Sequence, residues 1–148
     1  MIIRITSNES RYDQVLKHVW EADAGFTPRL SERVDLTDYA RKLCDLAERD
    51  EAWSGSELVG LVATYCNNRS VGAYISNVSV LPTFQRQGLA DALIRRALER
   101  ARKLCLRTVT LQLHTDNHAA LALYKRHGFT SGSIQGDQLK MSLYLDGP

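Results

Sequence analysis

Residues 78–90 carry the most informative arrangement of residue types in this 148-residue sequence. An apolar run that predicts a strand ends at Val80, Pro82 breaks the chain in a turn, and the small residues Gly88 and Ala90 begin a helical pattern. The first turn of a helix leaves backbone N–H groups without helical acceptors, at the positive end of the helix dipole. Because such a terminus attracts anions, the segment predicts a phosphate or pyrophosphate site. A plain strand–turn–helix junction, in which Gly88 only permits the turn, is the alternative.

The sequence lacks the two common glycine-rich nucleotide motifs. Neither the Gly-x-x-x-x-Gly-Lys-Ser/Thr pattern of a P-loop nor the Gly-x-Gly-x-x-Gly pattern of a dinucleotide-binding fold is present. The groups His114, Asp116 and His118 offer possible metal ligands, but no second cluster of such residues accompanies them. We therefore predict no metal site.

The three cysteines are odd in number and far apart in the sequence, without a Cys-x-x-Cys pattern. Such usage is typical of a reducing compartment and argues against a disulfide framework or a zinc site. The prediction is therefore that free, buried thiols occupy these positions, Cys44, Cys66 and Cys105.

The periodicity of the apolar side chains predicts the helices and strands that position the candidate site residues. Their predicted order is β-α-α-β-β-β-α-β-α-β-β. Helices are predicted near residues 12–20, 36–47, 88–104 and 118–126. Strands are predicted at residues 2–6, 52–54, 58–65, 72–80 and 109–113, around residue 134, and at 139–145. The apolar face of the first helix is predicted to comprise Tyr12, Val15, Leu16, Val19 and Trp20. Residues 1–148 are thus predicted to form one α+β domain with a mixed sheet.

Composition limits the classes of protein to consider. With 44% hydrophobic and 24% charged residues, the chain has the composition of a globular protein rather than a disordered one. No apolar run approaches the roughly 20 residues of a membrane helix, and the first residues do not resemble a secretion signal. We therefore expect a cytoplasmic protein without a membrane-bound part.

The net charge of +2 is unevenly distributed along the chain. Residues 1–80 carry a net charge of −3 and residues 81–148 carry +5. The basic half favours an anionic ligand, whereas the small total argues against a nucleic-acid partner.

Two motifs now point to a family. The run Gln85-x-x-Gly88-x-Ala90 resembles the Gln/Arg-x-x-Gly-x-Gly/Ala signature of the GCN5-related N-acetyltransferases, the GNAT family. Their next motif resembles the later run Asn117-x-x-Ala120-x-x-Leu123-Tyr124-x-x-x-Gly128-Phe129. The motifs cover residues 77–130, and the order of elements resembles the family fold over nearly the whole chain. The resemblance implies a single-domain acyl-CoA N-acyltransferase architecture, with a mixed, mostly antiparallel central sheet flanked by about four helices.

The same resemblance implies acetyl-coenzyme A (acetyl-CoA) as the donor and an amine as the acceptor. The pantetheine arm would pair, like an added strand, with the backbone of Val78, Ser79 and Val80. Next to the motif residue Gln85, the pyrophosphate loop would comprise Arg86, Gln87, Gly88, Leu89, Ala90 and Asp91.

The resemblance also implies roles for two side chains of the second motif. Asn117 would hydrogen-bond the cofactor near its thiol end, and Tyr124 would be the general acid that protonates the departing thiolate. A phenol suits that task because it is neutral at pH 7. The transfer would be direct, with no covalent intermediate on the protein.

The general base is where this sequence departs from its relatives. Residues 111–117 resemble the ribosomal-protein N-terminal acetyltransferases, but Gln112 occupies the position of their catalytic glutamate. An amide cannot accept the proton of the attacking amine. The nearest titratable candidate is His114 at the predicted strand end. A solvent-facing histidine at that position, with a water chain as the proton path, is the alternative.

The sequence is least informative about the acceptor. Seven acidic and four basic residues lie between Ser31 and Glu51, a bias that favours a cationic amine or is simply a solvated helix face. Our leading expectation is an N-acetyltransferase of a small-molecule primary amine. The alternatives are a protein or peptide N-terminus, as in the ribosomal-protein type, and a catalytically silent acyl-CoA-binding module. We expect a monomer or a homodimer.

Overall fold

A computed structural model describes residues 2–145 of the chain. A seven-stranded sheet and four α-helices account for most of these residues. The strands are β1 (Ile3–Ser7), β2 (Glu48–Ser54), β3 (Glu57–Tyr65), β4 (Ala73–Val80), β5 (Thr108–His114), β6 (Thr130–Gln135) and β7 (Gln138–Tyr144). The helices are α1 (Tyr12–Ala22), α2 (Leu36–Leu46), α3 (Leu89–Lys103) and α4 (His118–Arg126). The predicted order of elements is confirmed.

The sheet has the order β1-β2-β3-β4-β5-β7-β6. All neighbouring strands are antiparallel except β4 and β5, which run parallel. A parallel pair needs a crossover connection, and α3 supplies it here. The mixed, mostly antiparallel sheet with four helices is therefore confirmed.

The sheet buries apolar residues on both of its faces. One cluster joins the sheet to α3 and includes Leu93, Ile94 and Met141. The other joins it to α1 and α2 and includes Val15, Val19 and Leu43. The two helical layers therefore hold the central strands from opposite sides, which fixes the positions of β4 and β5.

The buried face of α1 differs from the predicted one. Trp20 was expected on the apolar stripe, but it is 67% exposed. His18 is buried instead, on the same face as Val15, Val19 and Ala22. A histidine is accommodated there because the sheet beneath α1 offers hydrogen-bond partners to both ring nitrogens.

β2 begins at Glu48, four residues before the predicted start at Ala52. The sequence-based boundary was wrong because the charged residues at the start of this strand have partners that are remote in sequence. Asp50, which is fully buried, accepts two hydrogen bonds of 2.7 Å from Arg100 of α3. Glu51, also fully buried, accepts hydrogen bonds from the loop that follows β1. Paired in this way, carboxylates are tolerated in the interior.

The prediction of buried thiols holds only in part. Cys44 and Cys66 are half-buried, and burial raises the pKa of both thiols. Cys105 is exposed, so the prediction is wrong at this position. It lies directly after α3 in the left-handed region, at φ 60°, where the chain turns out of the helix.

Candidate functional site

A cleft separates the two parallel strands at the centre of the sheet. β4 and β5 pair only through Ala73 with Val109 and Tyr74 with Thr110, as far as the described residues show. Beyond these pairs lies a cavity of about 230 Å³, lined by residues 74–80 of β4 and 111–114 of β5. Unpaired backbone on the facing strands can therefore accept an extended ligand as an additional strand.

A β-bulge shapes the wall that β4 contributes to the cleft. Asn77 lies opposite Ala63 and Ile75 lies opposite Thr64, so Ser76 is an extra residue on β4. The Tyr39 hydroxyl of α2 donates to the Ser76 carbonyl at 3.0 Å and so supplies a partner for the irregular backbone. Bulges of this kind bend a strand and are common beside active sites.

The N-terminus of α3 has the geometry of an anion site. The first helical hydrogen bond runs from the Ala92 N–H to the Gly88 carbonyl at 3.1 Å, so the N–H groups of Leu89, Ala90 and Asp91 precede it. Gly88 has φ 80°, a conformation that favours glycine. Beyond its two chain neighbours, no heavy atom lies within 4 Å of the position of a Cβ on Gly88, which leaves space for a ligand at this end of the helix.

Two side chains, Gln85 next to the expected pyrophosphate loop and Asp91 within it, have structural partners. The Gln85 side-chain amide donates to the Val80 carbonyl at 2.9 Å and ties the turn to the end of β4. The Asp91 carboxylate lies 2.8 Å from His127 Nε2 and accepts a 3.2 Å hydrogen bond from Arg126. These contacts stabilise the loop without using its backbone N–H groups, which stay available to an anion.

α4 places Asn117 and Tyr124 in the same cleft. The Asn117 side-chain oxygen caps α4 by accepting from the Ala120 N–H at 3.1 Å, so the amide nitrogen is its remaining donor group. Tyr124 is 8% exposed, and its ring packs edge-on against Phe129 with centroids 6.0 Å apart. Burial raises the pKa of Tyr124 above its ordinary value, which is already far above neutral pH, so the phenol is protonated.

His114 lies at the end of β5 and also lines the cleft. Its Nδ1 accepts a hydrogen bond from the Asp116 N–H at 3.1 Å, and its Nε2 lies 3.2 Å from the Asp137 carboxylate. Because Nδ1 accepts, the proton of the neutral ring is on Nε2 and faces Asp137. Both nitrogens are therefore engaged, and the role of His114 as a general base stays a prediction.

The charge of the cleft differs from the expectation of an acidic acceptor pocket. Among the described residues that line it, none is Asp or Glu, and Arg33 is the permanently charged side chain. The acidic residues of the first half serve other purposes: Asp35 caps α2, and Asp50 and Glu51 form buried ion pairs. These three carboxylates therefore have structural roles, and none of them lines the cleft.

Sequence reasoning missed His18, which lies behind the β4 wall of the cleft. Its Nδ1 is 2.9 Å from the Leu58 carbonyl, and its Nε2 is 2.8 Å from the Ser79 hydroxyl. Desolvation by burial lowers the pKa of His18 to about 4, although the hydrogen bond to Leu58 opposes this change. The signal that could have revealed it is a histidine at helical spacing from Val15 and Ala22 on a buried face.

Residues 2–145 contain neither a metal-ligand cluster nor a membrane-spanning helix. No group of three or more His, Cys, Asp or Glu side chains is arranged to hold a metal ion in this part of the chain. Within the same residues, no helix combines the length and apolar character needed to cross a membrane.

Comparison with known proteins identifies the family of this chain. The model of the acetyltransferase (GNAT) family matches residues 12–129. This chain belongs to the GNAT family. An uncharacterised N-acetyltransferase of Bacillus subtilis (strain 168), YvbK, is 31% identical over 106 residues, which are 69% of this chain and 68% of that protein.

Other similarities within the GNAT family concern proteins with known acceptors or ligands. The [ribosomal protein bS18]-alanine N-acetyltransferase of Escherichia coli (strain K12) is 36% identical over 63 residues, 43% of each chain. The similarity to relatives of this type thus spans about half of their length or less. The PaiA N-acetyltransferase of Thermoplasma acidophilum, solved with coenzyme A, has a TM-score of 0.76 at 13% identity, covering 98% of this chain and all of that one. At that identity, the likeness shows the fold alone.

Proposed function

We propose that this chain is an acetyl-CoA-dependent N-acetyltransferase whose acceptor is an α-amino group, such as the N-terminus of a peptide. Membership of the GNAT family and the cleft between β4 and β5 support the reaction class. The observation that carries the choice of acceptor is that no carboxylate lines the cleft among the described residues.

The residues of the cleft fit acetyl-CoA as the donor. The N–H groups at the start of α3, beside the open space at Gly88, suit a pyrophosphate. The backbone of residues 78–80 suits the amide groups of a pantetheine arm, which carries both donors and acceptors. Asn117 supplies a further donor at the start of α4.

In the proposed reaction, the acceptor amine attacks the thioester carbonyl directly. The new C–N bond forms as the C–S bond breaks, and Tyr124 gives its proton to the departing thiolate. The amine loses its proton to water, and a backbone N–H near Val78 stabilises the oxyanion. Holding the two reactants together supplies a large part of the rate.

The acceptor follows from the missing carboxylate. The amine must be neutral before it attacks, and Gln112 cannot remove its proton. An α-amino group has a pKa of about 7.7–8.0, whereas a lysine side chain has a pKa of about 10.4. A substantial fraction of α-amines is therefore neutral near pH 7.5 without help from the protein, compared with roughly one lysine in a thousand. Arg33 in the cleft also disfavours polyamines. The proposal thus replaces the first expectation, a small-molecule alkyl amine.

The function is tested by measuring thiol release from acetyl-CoA with a panel of acceptors. The panel contains a free-amino peptide without lysine, the same peptide with a blocked N-terminus and one lysine, an alkyl diamine and a polyamine. We expect the highest kcat/KM with the free-amino peptide. A preference for the diamine or polyamine would overturn the choice of acceptor, and turnover of no amine would overturn the activity itself.

A further inference from the structure

A chain of hydrogen bonds links a buried histidine to the wall of the cleft. His18 of α1, which is 1% exposed, contacts the Leu58 carbonyl through Nδ1 and the Ser79 hydroxyl through Nε2. The side-chain amide of Asn77 donates to the same hydroxyl at 2.9 Å. Ser79 is partly exposed and lines the cleft, so this chain of hydrogen bonds ends at the cleft wall.

The groups that His18 and Asn77 contact determine where the protons lie in this series of hydrogen bonds. A carbonyl oxygen can only accept, so Nδ1 of His18 carries the ring proton and Nε2 is an acceptor. With a pKa of about 4, His18 is neutral at physiological pH, so Ser79 donates its hydroxyl proton to Nε2. The orientation of the Asn77 amide is fixed in the same way, because its nitrogen also donates to the Leu61 carbonyl at 3.1 Å.

The hydroxyl of Ser79 therefore has one unused hydrogen-bonding site. A hydroxyl offers one donor and two acceptor lone pairs. The donor is directed to His18 and one lone pair accepts from Asn77, which leaves one lone pair. Any further hydrogen bond to this hydroxyl must therefore be one that it accepts.

We propose that the Ser79 oxygen accepts a hydrogen bond from the acceptor amine and that His18 is the positioning residue that keeps this oxygen an acceptor. The inference rests on the proposed function. A primary amine that gives one N–H to a fixed oxygen loses rotational freedom, which helps to direct its lone pair at the thioester. His18 does not take the amine proton, because its own pKa is far below that of an amine.

The kinetic test uses Ser79→Ala, His18→Leu and the double variant with a free-amino peptide. We expect each single variant to raise the KM for the peptide about tenfold, as expected for the loss of one hydrogen bond to a charged or polarised group. The KM for acetyl-CoA should change less than about twofold, since the backbone groups of β4 remain. The double variant should match Ser79→Ala, because His18 acts only through Ser79.

The conservative variant His18→Gln separates positioning from structure. Its amide oxygen can still accept the Ser79 proton, so the peptide KM should stay near the wild-type value. An unchanged peptide KM in Ser79→Ala, or effects of the two single variants that multiply in the double variant, would overturn the inference. If the variants give such a result while the wild type turns over normally, the proposed function stands and the positioning role fails. If the wild type shows no turnover, both the proposed function and the positioning role fail.

A second readout does not depend on turnover or on the stability of the leucine variant. Nitrogen-15 NMR of histidine-labelled wild-type protein should show His18 protonated on Nδ1 and bare on Nε2, with no titration between pH 5.5 and 8. The His18→Gln spectrum assigns the signals by their loss. Ser79→Ala should shift the Nε2 signal and leave the Nδ1 signal in place. A proton on Nε2 would contradict the inference, because Ser79 could then not donate to it.

Discussion

At the scale of single residues, burial shifts the pKa values of two side chains at the site. Tyr124 and His18 are both buried and both neutral, but for opposite purposes. The Tyr124 phenol is already neutral at pH 7, and burial raises its pKa further, so it remains a donor for the proposed reaction. At His18, burial keeps the proton off Nε2, where the chain of hydrogen bonds needs an acceptor.

The role of Tyr124 predicts a selective loss of turnover. Tyr124→Phe removes the hydroxyl but keeps the ring that packs on Phe129. We expect kcat to fall by about 10² or more, with the KM for acetyl-CoA nearly unchanged, because general acid catalysis contributes about 10²–10⁴. Thiol release measures both constants. Tyr144→Phe, at an exposed position on β7, is the matched control and should behave as wild type. Equal loss of turnover and cofactor affinity in Tyr124→Phe would contradict the assignment.

The burial of His18 predicts a pH dependence of stability. Its pKa falls from 6.5 in the unfolded chain to about 4 in the folded protein, so the unfolded state binds the proton more tightly. The stability from neutral His18 is complete above pH 6.5 and is lost as the pH falls toward 4. The total is about 3 kcal/mol, from about 1.4 kcal/mol per pKa unit.

Urea unfolding of wild type and His18→Gln at several pH values measures this effect. The difference in unfolding free energy between the two proteins should shift by about 3 kcal/mol, to the disadvantage of wild type, between pH 7 and pH 4. A difference that does not vary with pH would show that His18 is not held neutral by the fold.

At the scale of elements, the start of α3 is the proposed phosphate site, and Gly88 is its test. Gly88→Glu places a bulky anion beside the unpaired N–H groups, so binding of coenzyme A should fall by at least a hundredfold in calorimetric titration. Gly55→Glu is the control, because Gly55 also has a positive φ with open space around its Cβ position but lies in the turn between β2 and β3. The Gly55→Glu variant has a similar backbone strain, but it should bind coenzyme A as tightly as wild type. Equal binding by both variants would contradict the phosphate site.

The elements themselves were largely predictable because their signals are local. The apolar periodicity of α3 and the alternation in β5 lie within single segments, and the structure matches them closely. The start of β2 was not predictable, since Asp50 and Glu51 are buried only by virtue of partners on α3 and on the loop after β1. The burial of His18 was not predictable either, because its hydrogen-bond partners Leu58 and Ser79 lie 40 and 61 residues away in the sequence.

At the scale of the whole molecule, the charge pattern has two separate origins. The basic second half includes the segment around α3 proposed to hold an anionic donor. The acidic first half does not complement it across the cleft: Asp35 caps α2, and Asp50 is buried in an ion pair with Arg100. The result is a cleft without carboxylates among its described lining residues, which suits an acceptor that loses its own proton.

Mapping the acetylated amine of a single peptide tests the proposed α-amino acceptor. A peptide that carries both a free N-terminus and an internal lysine is incubated with acetyl-CoA and the protein at pH 7.5, and the acetylated position is mapped by tandem mass spectrometry. We predict acetylation at the α-amino group, with little on the lysine. Acetylation chiefly on the lysine would show that the protein removes the proton of a strongly basic amine, and it would contradict the central claim.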